Sequence, residues 1–211
     1  GSAVVKELIS QGYEVYALVR ENHYDQVPIN EMVRIVPFSL ENIEALGEVI
    51  PINEYEAFYH FAWNGSAGVD RADTALQLKN AQWTVECLQM AKRLGCKRFV
   101  PAGSIMEHET IAAVYTQGNR PGAGYIYGSG KVAAHMMCMS MAGKEGINLV
   151  WPKITNAYGP SERSPRLVNS TIRKCIAGED PQFTAGTQNY DFVYIDDVAR
   201  AFRLIGEKGK P

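Results

Sequence analysis

Apolar residues in this chain recur at two periods that take turns along its length. In AVVKELISQG (3–12) they fall three and four apart, the spacing of one helix face, and Gly12 stops the run. YEVYALV (13–19) and VRIVPF (33–38) read as strands, followed by a helix over ENIEALGEVI (41–50) and a third strand at AFYHFA (57–62). A long helix is predicted over 74–95, with basic residues at its C-terminal end and a Gly stop, as helix polarity favours. KRFVPAG (97–103) is a strand, 130–146 a helix and INLVWPK (147–153) another strand. A polar loop, a helix over 166–178, the strand YDFVYI (190–195) and a helix from Asp196 complete the series.

Strands that alternate with helices of ten or more residues imply a parallel sheet covered by helices on both faces. The expected fold is therefore α/β, a doubly wound parallel sheet, with no repeats or low-complexity linkers to divide it. The helix carrying HMMCMSM (135–141) holds four methionines and a cysteine in seven residues. A helix apolar nearly all round should be buried on more than one side.

Composition narrows the partners. Of 211 residues, 46% are hydrophobic and 21% charged, with a net charge of -2, so an ordinary globular core is expected. Lys and Arg are scattered, which leaves no footprint for nucleic acid or an anionic membrane. No apolar run approaches the ~20 residues that span a bilayer, and no leader-peptide pattern is expected at the N-terminus. Cys87, Cys96, Cys138 and Cys175 form no CxxC pair and no metal spacing, so reduced thiols in a cytoplasmic protein and no metal site are expected. His60, at the end of an apolar run, reads as a packed histidine.

YIYGSGKVAAH (125–135) supports two incompatible chemistries. Its GSGK looks like the end of a phosphate-binding loop, but that motif needs a Gly five positions before Gly130 and a hydroxyl after the Lys. Tyr125 and Val132 hold those positions. The other reading is a Tyr127/Lys131 pair, four apart and on one helix face. An unperturbed Tyr, with a pKa of roughly 10, is a poor base at neutral pH. A nearby ammonium would lower that value and make Tyr127 usable as acid or base.

Five segments in order decide between them. FYHFAWNG (58–65), the Asn80-bearing 79–104 segment ending on Ser104, YGSGK (127–131), ITNAYGP (154–160) and YDFVYIDDVARAF (190–202) together resemble the extended short-chain dehydrogenase/reductase family, in its nucleotide-sugar epimerase/dehydratase branch. The resemblance runs along essentially the whole chain. It implies a Rossmann-like NAD(P)-binding domain at 1–155, part of a substrate-binding lobe at 156–190, and a return to the first domain at 191–211. It also implies catalytic roles for Ser104, Tyr127 and Lys131. Lys131 would hold the nicotinamide ribose too, with Gly1, Arg20, Phe61, Ala62, Trp63 and Asn80 as further cofactor contacts. Ser104 and Asn156 would meet the substrate, a nucleotide sugar, and the Met-rich helix would pack against a second copy in a homodimer. Asp196 and Asp197 are read as structural, since carboxylates suit a helix start.

Four departures qualify the expectation. GSAVVKEL (1–8) looks like the last Gly of the family's Gly-rich turn and its helix, without the strand that normally lies centrally, between those at 13–19 and 57–62. A chain lacking that strand would have two open edges inside its sheet. Arg20 stands where NAD-preferring members carry an acid and suits a 2′-phosphate, which favours NADP, while Glu21 keeps NAD open; Ser39 replaces the Asp that commonly touches the adenine. Ile105 and Met106 stand where the dehydratases carry an Asp-Glu pair, which counts against elimination of water, and Glu107 is one place too far to substitute. Tyr190 replaces an Arg that grips the diphosphate in many relatives. The expected activity is hydride transfer at a ring carbon of a nucleotide sugar, as a 4-keto reductase or 4-epimerase. An NADPH-dependent reductase of small aldehydes or ketones and a non-catalytic dinucleotide sensor are the alternatives.

Overall fold

The computed structural model describes residues 1–116, 121–160, 162 and 164–210. Helix α1 (Ser2–Ser10) leads to strands β1 (Val15–Val19) and β2 (Val33–Pro37), then to the short helix α2 (Leu46–Val49) and β3 (Phe58–His60). Helix α3 (Thr74–Leu94), β4 (Arg98–Pro101), β5 (Gly103–Ser104), α4 (Met106–Thr116) and α5 (Ile126–Glu145) form the middle of the chain. After them come β6 (Asn148–Leu149), β7 (Lys153–Ile154), β8 (Asn156–Tyr158), α6 (Leu167–Ile176), β9 (Phe192–Tyr194) and α7 (Ile195–Lys208).

Each pairing between these strands is parallel: β1 with β2, β3 with β4, β4 with β6, β5 with β7 and β8 with β9. Helices cover both faces, and adjacent residues of β4 show it. Phe99 packs among Leu46, Leu88, Met90 and Leu149 on the α2/α3/α5 side. Val100 packs with Val4, Leu8, Val198 and Phe202 on the α1/α7 side. Both are 0% exposed, because successive strand side chains point to opposite faces and each face here meets a helix layer. The doubly wound α/β expectation is met. Strand β1 pairs with β2 alone among the described residues, and an apolar cavity of about 540 Å³ separates it from β3, lined from both sides by residues such as Val15, Ala17, Phe58 and His60.

Local signals set the long helix. Asp73 caps α3 by accepting from the Leu76 N–H at 3.0 Å, and Gly95, at φ 91°, takes the left-handed conformation that closes its C-terminus. The predicted strands at 97–103 and 147–153 are each two short strands, and β8 lies where a polar loop was expected. Three helical stretches also differ from the sequence prediction. Residues 41–50 do not form one helix; a 3-10 stretch from Leu40 to Ala45 precedes α2, and Asn42 leaves helical geometry. The buried residues Leu40, Ile43 and Leu46 are three apart, the repeat of the tighter helix, before Ile50 follows four on. Helix α4 was not predicted at all. Its buried face is Glu107, Thr110 and Ala113, and two of those three are polar, so no apolar period marks it. Helix α5 starts at Ile126, earlier than predicted, and so takes in Tyr127.

The glycines of YGSGK provide space between helices. A Cβ on Gly128 would lie 1.9 Å from the Thr110 Oγ1 of α4 and 2.7 Å from the Met106 carbonyl oxygen. One on Gly130 would sit 3.0 Å from the Gln77 Cβ of α3. Replacing Gly128 with Ala is expected to cost about 1–3 kcal/mol or more through overpacking. Urea unfolding of G128A beside the parent chain measures it.

Candidate active site

The residues singled out from the sequence gather where strands end and helices begin. Ser104 ends β5, Tyr127 and Lys131 lie in the first two turns of α5, and Phe61, Ala62 and Trp63 follow β3 directly. Tyr127 and Lys131 are both buried, and Ser104 is half-buried. The Ser104 hydroxyl is a neighbour of the Tyr127 phenol and lowers its pKa. A hydrogen bond orients the serine, whose Oγ accepts from the Met106 N–H at 3.2 Å.

Lys131 donates from Nζ to the Ala102 carbonyl at 2.9 Å, and the ammonium sits 3.6 Å from the centre of the Trp63 ring. Burial brings its pKa down to about 7, with Glu107 opposing the shift. Trp63 is itself fixed, its Nε1 donating to Gln77 Oε1 at 2.7 Å while its ring meets Tyr127 edge-on at 5.9 Å. Burial also raises the Tyr127 phenol above its ordinary value. The influences that favour the phenolate are the neighbouring Ser104 hydroxyl and then the Arg71 and Arg166 guanidiniums. The Lys131 ammonium, one turn along α5, meets a carbonyl and an indole face.

Helix α3 holds the loop that carries Trp63 and Arg71. Gly65 and Gly68 adopt φ of 66° and 69°, which turn the chain tightly. Gln77 Nε2 then donates to the Gly65 and Asp70 carbonyls, both at 3.0 Å. Asn80, 2% exposed, is hydrogen-bonded to both backbone groups of Asn64: Oδ1 accepts its N–H at 2.9 Å and Nδ2 donates to its carbonyl at 2.8 Å. It thus clamps the loop from inside. His60 is a packed histidine, held neutral by complete burial that lowers its pKa to about 3 and set 3.3 Å from the Thr84 hydroxyl.

Beneath Ser104 lies Glu107, 1% exposed. Its Oε1 accepts from the Ser104 N–H at 2.8 Å and from the Trp151 indole at 3.0 Å, and its Oε2 lies 2.9 Å from His135 Nδ1 and 3.7 Å from Lys153 Nζ. The His135 and Trp151 rings stack at 4.5 Å. A carboxylate so fully occupied supports the serine from inside.

Several predicted contacts face two cavities beside this cluster. Gly1, Phe61 and Ala62 line the 540 Å³ cavity between β1 and β3. Arg20 lines a separate one of about 410 Å³ with Glu21, Phe38, Ser39 and Asn42. Ser39 caps the 3-10 stretch, its Oγ accepting from the Glu41 N–H at 3.3 Å. Asn156 begins β8, half-buried, and Tyr190 stacks exposed on Phe192 at 5.4 Å. No group of three metal-ligating side chains exists among the described residues. Sequence reasoning missed Arg71 and Gln77 and gave Glu107 no role. The one signal for the first two was distance from Trp63, eight and fourteen residues on.

A profile of the NAD dependent epimerase/dehydratase family matches residues 1–211. Among curated proteins, UDP-glucuronic acid decarboxylase 1 of Xenopus tropicalis is 26% identical over 154 residues, 69% of this chain and 37% of that protein. The chain thus spans little more than a third of that relative's length. Among solved structures, UDP-glucose 4-epimerase of Thermotoga maritima superimposes with a TM-score of 0.76 at 23% identity, covering 97% of this chain and 69% of that one. The dTDP-glucose 4,6-dehydratase of Streptomyces venezuelae gives 0.73 at 20% identity, covering 100% and 66%.

Burial of Lys131 has a consequence for stability. Its folded pKa, about 7, lies below the ordinary 10.5. Between those values the unfolded chain binds more protons, so this residue's contribution to stability rises with pH across that window. In urea titrations, K131M is expected to flatten the rise from pH 7 to 9 seen in the parent chain.

Proposed function

The chain belongs to the NAD dependent epimerase/dehydratase family, and we propose that it serves hydride transfer at a ring carbon of a nucleotide-activated sugar, as a 4-keto reductase or 4-epimerase. The observation that carries this reading is the half-buried Ser104 hydroxyl beside the buried Tyr127 phenol, with Lys131 one turn along α5, at the C-terminal ends of parallel strands. Crevices at strand ends, where neighbouring strands run off to opposite sides, are where doubly wound sheets bind ligands. Here β1 leads to β2 and β3 leads to β4 and β6, away from the cavity between them.

The residues present suit a dinucleotide. Arg20, Glu21 and Ser39 frame one cavity for its ribose and adenine, and Phe61, Ala62 and Trp63 line the approach to Lys131. Arg20 has no acidic partner among the described residues, so its guanidinium can pair a 2′-phosphate, and NADP is accommodated beside NAD. The bound dinucleotide supplies or accepts the hydride. Tyr127 gives or takes the sugar hydroxyl proton, Ser104 orients the oxygen, and Lys131 holds the ribose beside the nicotinamide. Asn156 and the 156–190 segment meet the substrate as the smaller lobe, between a 1–155 dinucleotide domain and its return at 191–211. Elimination of water is disfavoured because Ile105 and Met106 exchange no proton and Glu107 is occupied. A nucleotide sugar as substrate accords with the solved neighbours, which include a UDP-glucose 4-epimerase with UDP-glucose.

A homodimer completes the proposal, in a cytoplasmic setting that keeps the thiols reduced. On α5, Met136 and Met137 are each 62% exposed and Met139 58%, so this helix is not covered within the chain as a wholly apolar helix would be. Leu78 of neighbouring α3 adds an exposed apolar side chain. A second copy placed on this surface would bury it. Replacing Met136 and Met137 together with Lys should shift sedimentation from dimer to monomer.

The function is tested by purifying the protein without added cofactor and identifying any dinucleotide released on denaturation. Retained NAD points to an epimerase that keeps its cofactor, and an empty protein that binds NADPH more tightly than NADH points to a reductase. Y127F should lower turnover of the nucleotide sugar about 10²–10⁴-fold while dinucleotide binding survives. Failure of the parent chain to bind either dinucleotide would refute the enzymatic assignment.

A further inference from the structure

We infer that Glu107 is a positioning residue for the proposed reaction: its buried carboxylate fixes the backbone of Ser104 so that the serine hydroxyl keeps its proton for donation beside Tyr127. The same carboxylate ties that serine to the helix that carries Tyr127 and Lys131. The inference deepens the proposed function and rests on the roles given there to Ser104 and Tyr127.

Ser104 and Glu107 are three apart, the spacing of the S-x-x-E pattern that opens many helices. Their bonds are reciprocal. Glu107 Oε1 accepts from the Ser104 N–H at 2.8 Å, and Ser104 Oγ accepts from the Met106 N–H at 3.2 Å, at the start of α4. A serine hydroxyl has one proton and two lone pairs. The Met106 bond occupies a lone pair and leaves the proton to be donated. Tyr127 is the neighbour that responds, since Ser104 favours its phenolate, as a donor does.

Glu107 is 1% exposed, and a carboxylate so buried is tolerated only where partners answer it. Those partners come from separate elements. His135 of α5 places Nδ1 2.9 Å from Oε2, and Lys153 of β7 places Nζ 3.7 Å from the same oxygen. Trp151, just before β7, donates its indole N–H to Oε1 at 3.0 Å. His135 lies one turn beyond Lys131 on α5. Trp151 can approach because residue 103 is glycine; a Cβ there would lie 2.5 Å from its Nε1. The His135 and Trp151 rings stack at 4.5 Å, so two of the partners brace each other. One carboxylate thus joins β5, α4, α5 and the approach to β7 directly behind the serine. An apolar side chain could fill that space, but it could not direct the Ser104 N–H.

The test reads the phenol directly. In the full chain, 3,5-difluorotyrosine placed at position 127 ionises nearer neutral pH than tyrosine and gives a fluorine signal that follows its charge. Ser104, Arg71 and Arg166 favour the phenolate, and the charge of Glu107 opposes it. S104A is expected to raise the titration midpoint by about one pH unit, a roughly tenfold loss of phenolate below it. E107Q removes the charge but keeps an oxygen for the Ser104 N–H, so its midpoint should fall below that of the parent. E107A removes both, and its midpoint should lie above that of E107Q by about the S104A shift. In an S104A background the two should coincide. Where E107A does not fold, E107D decides: it keeps the charge, withdraws the oxygen by one methylene and should raise the midpoint towards that of S104A. An S104A midpoint no higher than the parent's, equal midpoints for E107A and E107Q, a gap between them that survives in S104A, or an E107D midpoint equal to the parent's would each overturn the inference. The outcome separates from that of the proposed function. Loss of turnover in Y127F with equal E107A and E107Q midpoints sinks this inference alone, and the expected pattern in a protein without turnover sinks the catalytic reading alone.

Discussion

The distance between α5 and its neighbours is the constraint on which the site depends. Gly128 leaves the space that Thr110 and the Met106 carbonyl occupy, and Gly130 does the same against Gln77. With side chains there, α5 would stand off from α3 and α4. Tyr127 would then lose its reach to Ser104, and Lys131 its contact with Ala102. The same closeness excludes water from the phenol and the ammonium, and that desolvation is the largest influence on the pKa of each. Packing and chemistry are one fact here.

Around this contact lies a shell of polar side chains that are buried and answered. Asn80 is bonded to both backbone groups of Asn64, Gln77 ties Trp63 to the loop backbone, and Glu107 gathers Ser104, Trp151 and His135. A buried polar group without a partner costs about 1–3 kcal/mol, so such groups admit one arrangement and penalise others. The protein spends this specificity at the strand ends, where a reacting group must be held still. Elsewhere, as around Phe99 and Leu88, apolar packing suffices.

The gap between β1 and β3 gives the sheet a different character on its two sides. Strands β3, β4 and β6 are paired and covered on both faces, while β1 is joined to β2 alone and faces an apolar cavity. The predicted catalytic side chains lie on the paired side. Arg20 and Ser39, suited to the adenosine end of a dinucleotide, lie beyond the cavity.

By itself the sequence determined the alternation of strands and helices, the parallel sheet that follows, the span of α3 to its Gly95 stop, and the Tyr127/Lys131 face of α5. These are local properties: period, caps and i, i+4 geometry need only neighbouring residues. It did not reveal α4, whose inward face is largely polar, or the tighter repeat over Leu40–Leu46. Nor could it show that Glu107 is fully engaged, or that the Arg71 guanidinium lies over the Tyr127 ring. Those depend on which side chains meet across tens of residues and on how much water the packing removes. Tertiary structure decides both, because charge and hydrogen bonding act through space and the linear spacing of Tyr127 and Lys131 says nothing of what else comes to stand between them.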